Sequence, residues 1–93
     1  MTARTVTATL DINTSLPSTQ SEYAILDHFL AMARAYRVEG SVFNAMDILW
    51  KLVESYPDTP QAEESKNTLL EIAVQYERDG LRHPAYAIYE RLL

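Results

Sequence analysis

Residues 26–57, LDHFLAMARAYRVEGSVFNAMDILWKLVESYP, decide the fold of this chain. Apolar residues recur at intervals of three and four on both sides of Gly40, which is the spacing of an amphipathic α-helix. Glycine accepts the left-handed backbone conformation that ends many helices, and a proline such as Pro57 does not continue one. The stretch therefore predicts two amphipathic helices joined by a tight turn at Gly40.

The same pattern returns at residues 69–93, LLEIAVQYERDGLRHPAYAIYERLL, around Gly80. When Gly80 is aligned with Gly40, seven pairs of similar residues stand at one constant offset. These pairs are Phe29 with Leu69, Ala33 with Ala73, Tyr36 with Tyr76, Gly40 with Gly80, Ala45 with Ala85, Leu49 with Tyr89 and Leu52 with Leu92. Because each helix pair leaves an apolar side that only the next pair can cover, the repeat predicts a helical solenoid.

Capping residues predict where the four helices begin and end. Thr19 and Glu22 have the spacing of a capping box, so the first helix is expected to run from about residue 19 to Gly40. Ser41 is a good N-cap for a second helix that continues to about residue 56. Pro60 suits the first position of a third helix over residues 60–79. A short fourth helix follows Gly80 and carries proline at position 84 near its first turn.

The first 20 residues differ from the rest, because they are rich in threonine and serine and alternate apolar with polar residues over positions 5–12. That period of two is typical of a short β-strand. One interpretation is a flexible or loosely docked tail; the other is a strand that pairs with a second copy or with a partner's sheet edge. The sequence thus predicts a tail over 1–20 and one helical domain over 21–93, with repeats at 21–59 and 60–93.

The overall composition favours a small soluble domain that does not bind nucleic acid. The chain has 93 residues, a net charge of −5 and no cysteine. An acidic chain is poorly suited to phosphate contacts, and without cysteine there is neither a disulfide framework nor a thiolate metal site. No apolar run approaches the roughly 20 residues that span a bilayer. The first 20 residues lack the apolar core of a secretory signal, which favours a cytoplasmic protein.

The repeated residues resemble the tetratricopeptide repeat family. The tyrosine, turn glycine, second-helix alanine and closing proline of that family stand here as Tyr36, Gly40, Ala45 and Pro57. The second unit keeps the first three and ends before its closing proline, and the period is 40 residues rather than the usual 34. Residues 56–64, YPDTPQAEE, look like the linker of a bacterial subfamily found in periplasmic cell-envelope coordinators and outer-membrane assembly lipoproteins. The resemblance implies an all-α fold of two antiparallel helix pairs, stacked as a short right-handed solenoid.

The resemblance also implies a binding surface, because the first helix of each repeat lines the concave face in this family. Carried over by position, the candidate contacts are Asp27, Leu30, Arg34, Arg37, Asn67, Leu70, Val74, Glu77 and Arg78, together with Val38. Arginine side chains there would offer fork-shaped donors to carboxylates. The alternative is ordinary solvated helix surface with salt links. Leu30 and Arg34 occupy positions where the family's chaperone-tail clamp has lysine and asparagine, which disfavours that ligand.

The fourth helix carries a second candidate surface. No later helix covers its apolar residues, so we expect self-association as a homodimer, or the docking of a partner, through Ala85, Ile88, Tyr89 and Leu92. Trp50 lies at the edge of the apolar stripe of the second helix, and the pattern leaves open whether it flanks the core or contacts a partner.

The sequence offers no arrangement for catalysis. His28 and His83 lie in different predicted helices without metal-ligand spacing, and no phosphate-binding glycine loop or nucleophile motif occurs. We therefore expect a non-catalytic protein-interaction module with no cofactor or metal, which binds a peptide or protein partner. The alternative is a structural subunit that self-associates and has no separate ligand.

Overall fold

The structure of the chain is a computed structural model that describes residues 21–93. Its four helices are α1 (residues 21–38), α2 (Val42–Ser55), α3 (Pro60–Arg78) and α4 (Arg82–Leu92). They form two antiparallel helix pairs, and α3 packs against both α2 and α4. The all-α prediction is confirmed. The predicted strand pattern at 5–12 and the predicted cap at Thr19 lie outside the described residues.

The two turns have the same hydrogen bonds, which confirms the repeat at the level of the backbone. Gly40 and Gly80 have φ angles of 88° and 81°, in the region that glycine enters without steric cost. The residue after each glycine donates its N–H to the carbonyl oxygen of Tyr36 or Tyr76, at 2.8 Å in both repeats. These bonds form the Schellman motif that ends many helices.

The helix starts are formed in two different ways. Pro60 is the first residue of α3, as predicted, and the Thr59 hydroxyl accepts the N–H of Ala62 at 3.1 Å. Ser41 stands at the N-cap of α2, but within the described part of the chain its hydroxyl makes no capping hydrogen bond. The backbone of Ser41 explains this missing bond, because its φ of −85° and ψ of 65° differ from the extended conformation of most N-cap residues. Ser41 therefore occupies the predicted N-cap position of α2 but does not cap the helix through its side chain.

One core runs through both helix pairs. Its fully or nearly fully buried members are Leu26, Leu30, Ala33, Ala45, Leu49, Trp50, Leu52, Leu69, Ile72, Ala73, Ala85 and Ile88. The four alanines among them keep the helices close. Trp50 belongs to this core, and the guanidinium of Arg91 lies 4.2 Å from the centre of its ring. A cation above an aromatic face stabilises the contact between α2 and α4.

Gln61 is a polar side chain inside this core. Its amide Nε2 donates to Asp27 at 2.9 Å, whereas its Oε1 is buried and accepts no hydrogen bond from residues 21–93. A buried acceptor without a donor costs about 1–3 kcal/mol. We expect Gln61→Met, which keeps the volume and removes this acceptor, to raise the free energy of unfolding by up to about 1 kcal/mol in urea denaturation.

The control for Gln61→Met is Asp27→Ala, which removes only the outer half of the contact. It should lower the free energy of unfolding by about 0.5–1.5 kcal/mol, because the Nε2 donor of the buried Gln61 loses its partner. A clear loss of stability in Gln61→Met would contradict this account, since it would mean that Oε1 is satisfied by a buried water.

Candidate protein-binding groove

A groove crosses the outer face of α3 and reaches the end of α1. It has a volume of about 420 Å³ and is lined by Arg37 of α1 and by Asn67, Leu70, Glu71, Val74, Gln75 and Arg78 of α3. The α3 residues recur at intervals of one, three and four, so they share one side of the helix. We call this surface the α3 groove.

The sequence predicted five of the residues that line the α3 groove: Arg37, Asn67, Leu70, Val74 and Arg78. Glu71 and Gln75 were missed. Helical spacing could have found them, because they follow Asn67 by four and eight residues and therefore lie on the same face.

The α3 groove combines an apolar floor with positive charge. Leu70 and Val74 are partly exposed along its length. Arg37 donates to Glu71 at 2.9 Å, whereas Arg78 forms no ion pair with any carboxylate of residues 21–93. Two guanidinium groups thus stand against one carboxylate, which reverses locally the negative charge of the whole chain. Such a surface suits a segment that carries a carboxylate beside an apolar side chain.

The other α1 candidates connect the two repeats. Asp27 accepts a hydrogen bond from Gln61, and Arg34 forms an ion pair with Glu64. Arg34 also lines a shallow depression that adjoins the α3 groove at Arg37. Both side chains are therefore held by α3, not by neighbours on their own helix.

Leu30 was predicted to belong to the binding surface, and this prediction is wrong. It is only 4% exposed and belongs to the core, so it is not available to a partner. Its counterpart in the second repeat, Leu70, is 41% exposed. The two leucines differ because the second helix pair covers the first, whereas no helix of residues 21–93 covers the second on the corresponding side.

Glu77 of α3 is absent from the groove lining and contacts α4. Its carboxylate accepts the hydroxyl proton of Tyr89. This bond raises the pKa of Tyr89, because the phenol donates only while it is protonated. The stabilisation is therefore present below the ordinary pKa of tyrosine and is lost as the pH rises through the raised value.

The self-association surface predicted on α4 is wrong for two of its four residues. Ala85 and Ile88 are buried in the core of the molecule, while Tyr89 and Leu92 are half-buried against it. The apolar stripe of α4 packs on α3, so it cannot also face a partner. The residues of α4 that are exposed lie elsewhere, with Tyr86 as the largest.

A second, smaller groove of about 220 Å³ lies between α2 and α4, next to Trp50. Arg91 closes one end, donating from Nε and Nη2 to the Glu54 carboxylate at 2.9 and 3.0 Å. These bonds lower the pKa of Glu54 and raise that of Arg91, because they favour the charged forms. The pair thus stabilises the contact between α2 and α4 at neutral pH, and loses that effect as the pH falls through the lowered pKa of Glu54.

The chain matches no protein-family model, no curated protein and no solved structure in the comparisons that were made. Within residues 21–93, no three histidine or acidic side chains are grouped as a metal site would need. The helices of this region are also too short or too polar to cross a membrane.

Proposed function

We propose that this chain is a non-catalytic protein-interaction module of the tetratricopeptide type, which binds a peptide or protein segment along the α3 groove. The observation that carries the proposal is the convergence of Leu70 and Val74 with Arg78, whose charge no described carboxylate neutralises. The favoured ligand has an acidic residue next to an apolar one, since Arg78 would bind the carboxylate while the floor holds the apolar side chain.

This proposal is tested with short random peptides displayed on phage, selected on the chain and then synthesised with a fluorescent label. We expect the selected peptides to be enriched in acidic residues next to leucine, isoleucine or phenylalanine. Arg78→Glu should weaken their binding at least about tenfold, which corresponds to about 1.4 kcal/mol. Fluorescence anisotropy at increasing salt gives the affinity and its electrostatic share.

The matched control is Arg82→Glu. Arg82 is an exposed arginine at the start of α4 that is absent from the groove lining. Because both substitutions replace arginine by glutamate, they change the net charge of the chain by the same amount. Peptides that bind the Arg78 and Arg82 variants equally well would overturn the α3 groove as the binding site. A selection that yields no acidic consensus would overturn the ligand chemistry.

A second candidate function is that of a structural subunit that self-associates. The observation that favours it is the exposure of large apolar residues at both ends of the stack, with Leu70 and Tyr86 at one end and Ile25 at the other. Homo-oligomers would bury these residues, each worth roughly 1.5–3 kcal/mol when fully removed from water. Sedimentation of the chain over a range of concentrations tests this function directly.

A further inference from the structure

The two helix pairs form a junction whose contacts can be transferred from one copy of the chain to the next. Positions 21–53 of the first repeat have counterparts 40 residues later, at 61–93, and the helices and turns follow the same register. A contact between the two repeats therefore has an equivalent contact between the second repeat of one copy and the first repeat of another. We call the outer side of the second repeat the trailing face and the outer side of the first repeat the leading face. The trailing face includes Asn67, Leu70, His83, Tyr86 and Glu90; the leading face includes Ser21, Ile25, Asp47, Ile48 and Lys51.

Burial differs between counterparts in the way that this correspondence requires. Leu30 is covered at the junction, whereas Leu70 is exposed on the trailing face. Conversely, Ser65 is fully buried in the second repeat, whereas its counterpart Ile25 is 53% exposed on the leading face. A further junction would thus bury at least one large apolar side chain from each end, Leu70 from the trailing face and Ile25 from the leading face.

Charges are also compatible with stacking of one copy on the next. Arg91 contacts Trp50 at the junction, and the equivalent contact between copies joins Lys51 to Glu90, which have opposite charges. Phe43 and Ala87 line one groove, and their equivalents are His83 and Asp47. The opposite charges of Lys51 and Glu90 favour this register over others.

The ion pair of Glu54 with Arg91 has no equivalent between copies, because position 54 has no counterpart among residues 61–93. Three other polar contacts of the junction do have equivalents. The hydrogen bond between Asp27 and Gln61 becomes a polar contact between Asn67 and Ser21. The ion pair of Arg34 with Glu64 becomes an apolar contact of Val74 with Ala24, and that of Arg37 with Glu71 becomes a contact of Glu77 with Ala31. None of these transfers places like charges together.

We propose that copies of this chain stack head to tail, with the trailing face of one on the leading face of the next. This inference rests on the self-association proposed above and gives it a geometry. The interface is heterologous, so assembly does not stop at a dimer unless a ring closes. Leu70 becomes buried as Leu30 is and is lost from the floor of the α3 groove, while Val74 and Arg78 stay accessible, as their exposed counterparts Arg34 and Val38 are at the junction. Stacking and peptide binding therefore compete for Leu70.

The test is analytical ultracentrifugation of the full 93-residue chain and of two variants. Each variant carries one aspartate substitution, on a different face. The unsubstituted chain is expected to exceed the mass of a dimer as its concentration rises. Ile25→Asp and Leu70→Asp should each be monomeric, because each lacks one of the two faces. Mixed together they should form a one-to-one heterodimer and nothing larger, because one intact face of each kind remains.

The control variant is Val38→Asp, at a residue that is 88% exposed and belongs to neither face, and it should assemble like the unsubstituted chain. Circular dichroism checks that every variant keeps its helices. A chain that stays monomeric at all concentrations overturns both self-association and stacking. A dimer that Leu70→Asp abolishes but Ile25→Asp does not is symmetric, and it overturns stacking alone. Failure of the two monomeric variants to combine also overturns stacking.

Discussion

Replacing Leu30 by alanine is expected to lower the free energy of unfolding by about 2–5 kcal/mol, whereas the same change at Leu70 lowers it by less than about 1 kcal/mol. The two leucines occupy equivalent positions in the two repeats. Truncating a buried leucine removes apolar contacts and leaves a cavity, while a partly exposed leucine loses less and leaves no enclosed space. The difference follows from the junction, which covers only the first of them.

Urea denaturation followed by circular dichroism measures both variants. Small domains have a total stability of only about 5–15 kcal/mol, so Leu30→Ala should lose a large fraction of it and unfold at a clearly lower urea concentration. The measurement is made at low concentration, because stacking between copies would bury Leu70 and add to its effect. Equal losses in the two variants at low concentration would contradict the difference in burial.

The turns and the repeat could be predicted from sequence because their causes are local. Gly40 and Gly80 adopt a left-handed conformation that glycine favours. Pro60 begins a helix because its ring fixes φ near the helical value and the first turn does not need its missing N–H. Ser41 shows the limit of this reasoning. The residue type suits a cap, but the preceding Schellman turn sets the backbone angles at that position, and the hydroxyl caps nothing among residues 21–93.

Burial could not be predicted in the same way, because periodicity identifies an apolar face but not what covers it. Leu30 and Leu70 have the same place in the pattern, yet only one of them is covered. Ala85 and Ile88 are apolar residues of the last helix, and they pack inward on α3. Trp50 is covered by Arg91, which is far away in sequence and lies on another helix.

The lining of the α3 groove was predicted better than the contacts that neighbouring α1 residues make with α3. Position in the repeat placed Asn67, Val74 and Arg78 on one surface, since these residues share a helix face. It could not show that Asp27 and Arg34 are engaged by partners on α3. Those contacts depend on how the two pairs are rotated against each other, which is a property of the packed core.

Replacing Ala85 by leucine is expected to destabilise the chain by about 1–3 kcal/mol or more, because the larger side chain has no space in a fully buried position. The effect should be greatest on α4. This helix has 11 residues, and isolated helices shorter than about 12–15 residues are marginal in water, so its stability depends on its packing against α3. We expect the variant to lose the α4 contact before the other helices unfold.

Trp50 reports this loss, because it is the only tryptophan in the chain and Arg91 of α4 lies over its ring. In Ala85→Leu, the red shift of the tryptophan emission should have its midpoint at a lower urea concentration than the midpoint at which the helical circular dichroism signal is lost. The matched control is Ala35→Leu, which adds the same atoms at an exposed position of α1 away from Trp50 and should stay within about 0.5 kcal/mol of the unsubstituted chain. Coincident transitions in Ala85→Leu would mean that α4 and the core unfold as one unit. The junction between the two pairs would then be strong enough to transmit the strain at Ala85 to the whole stack.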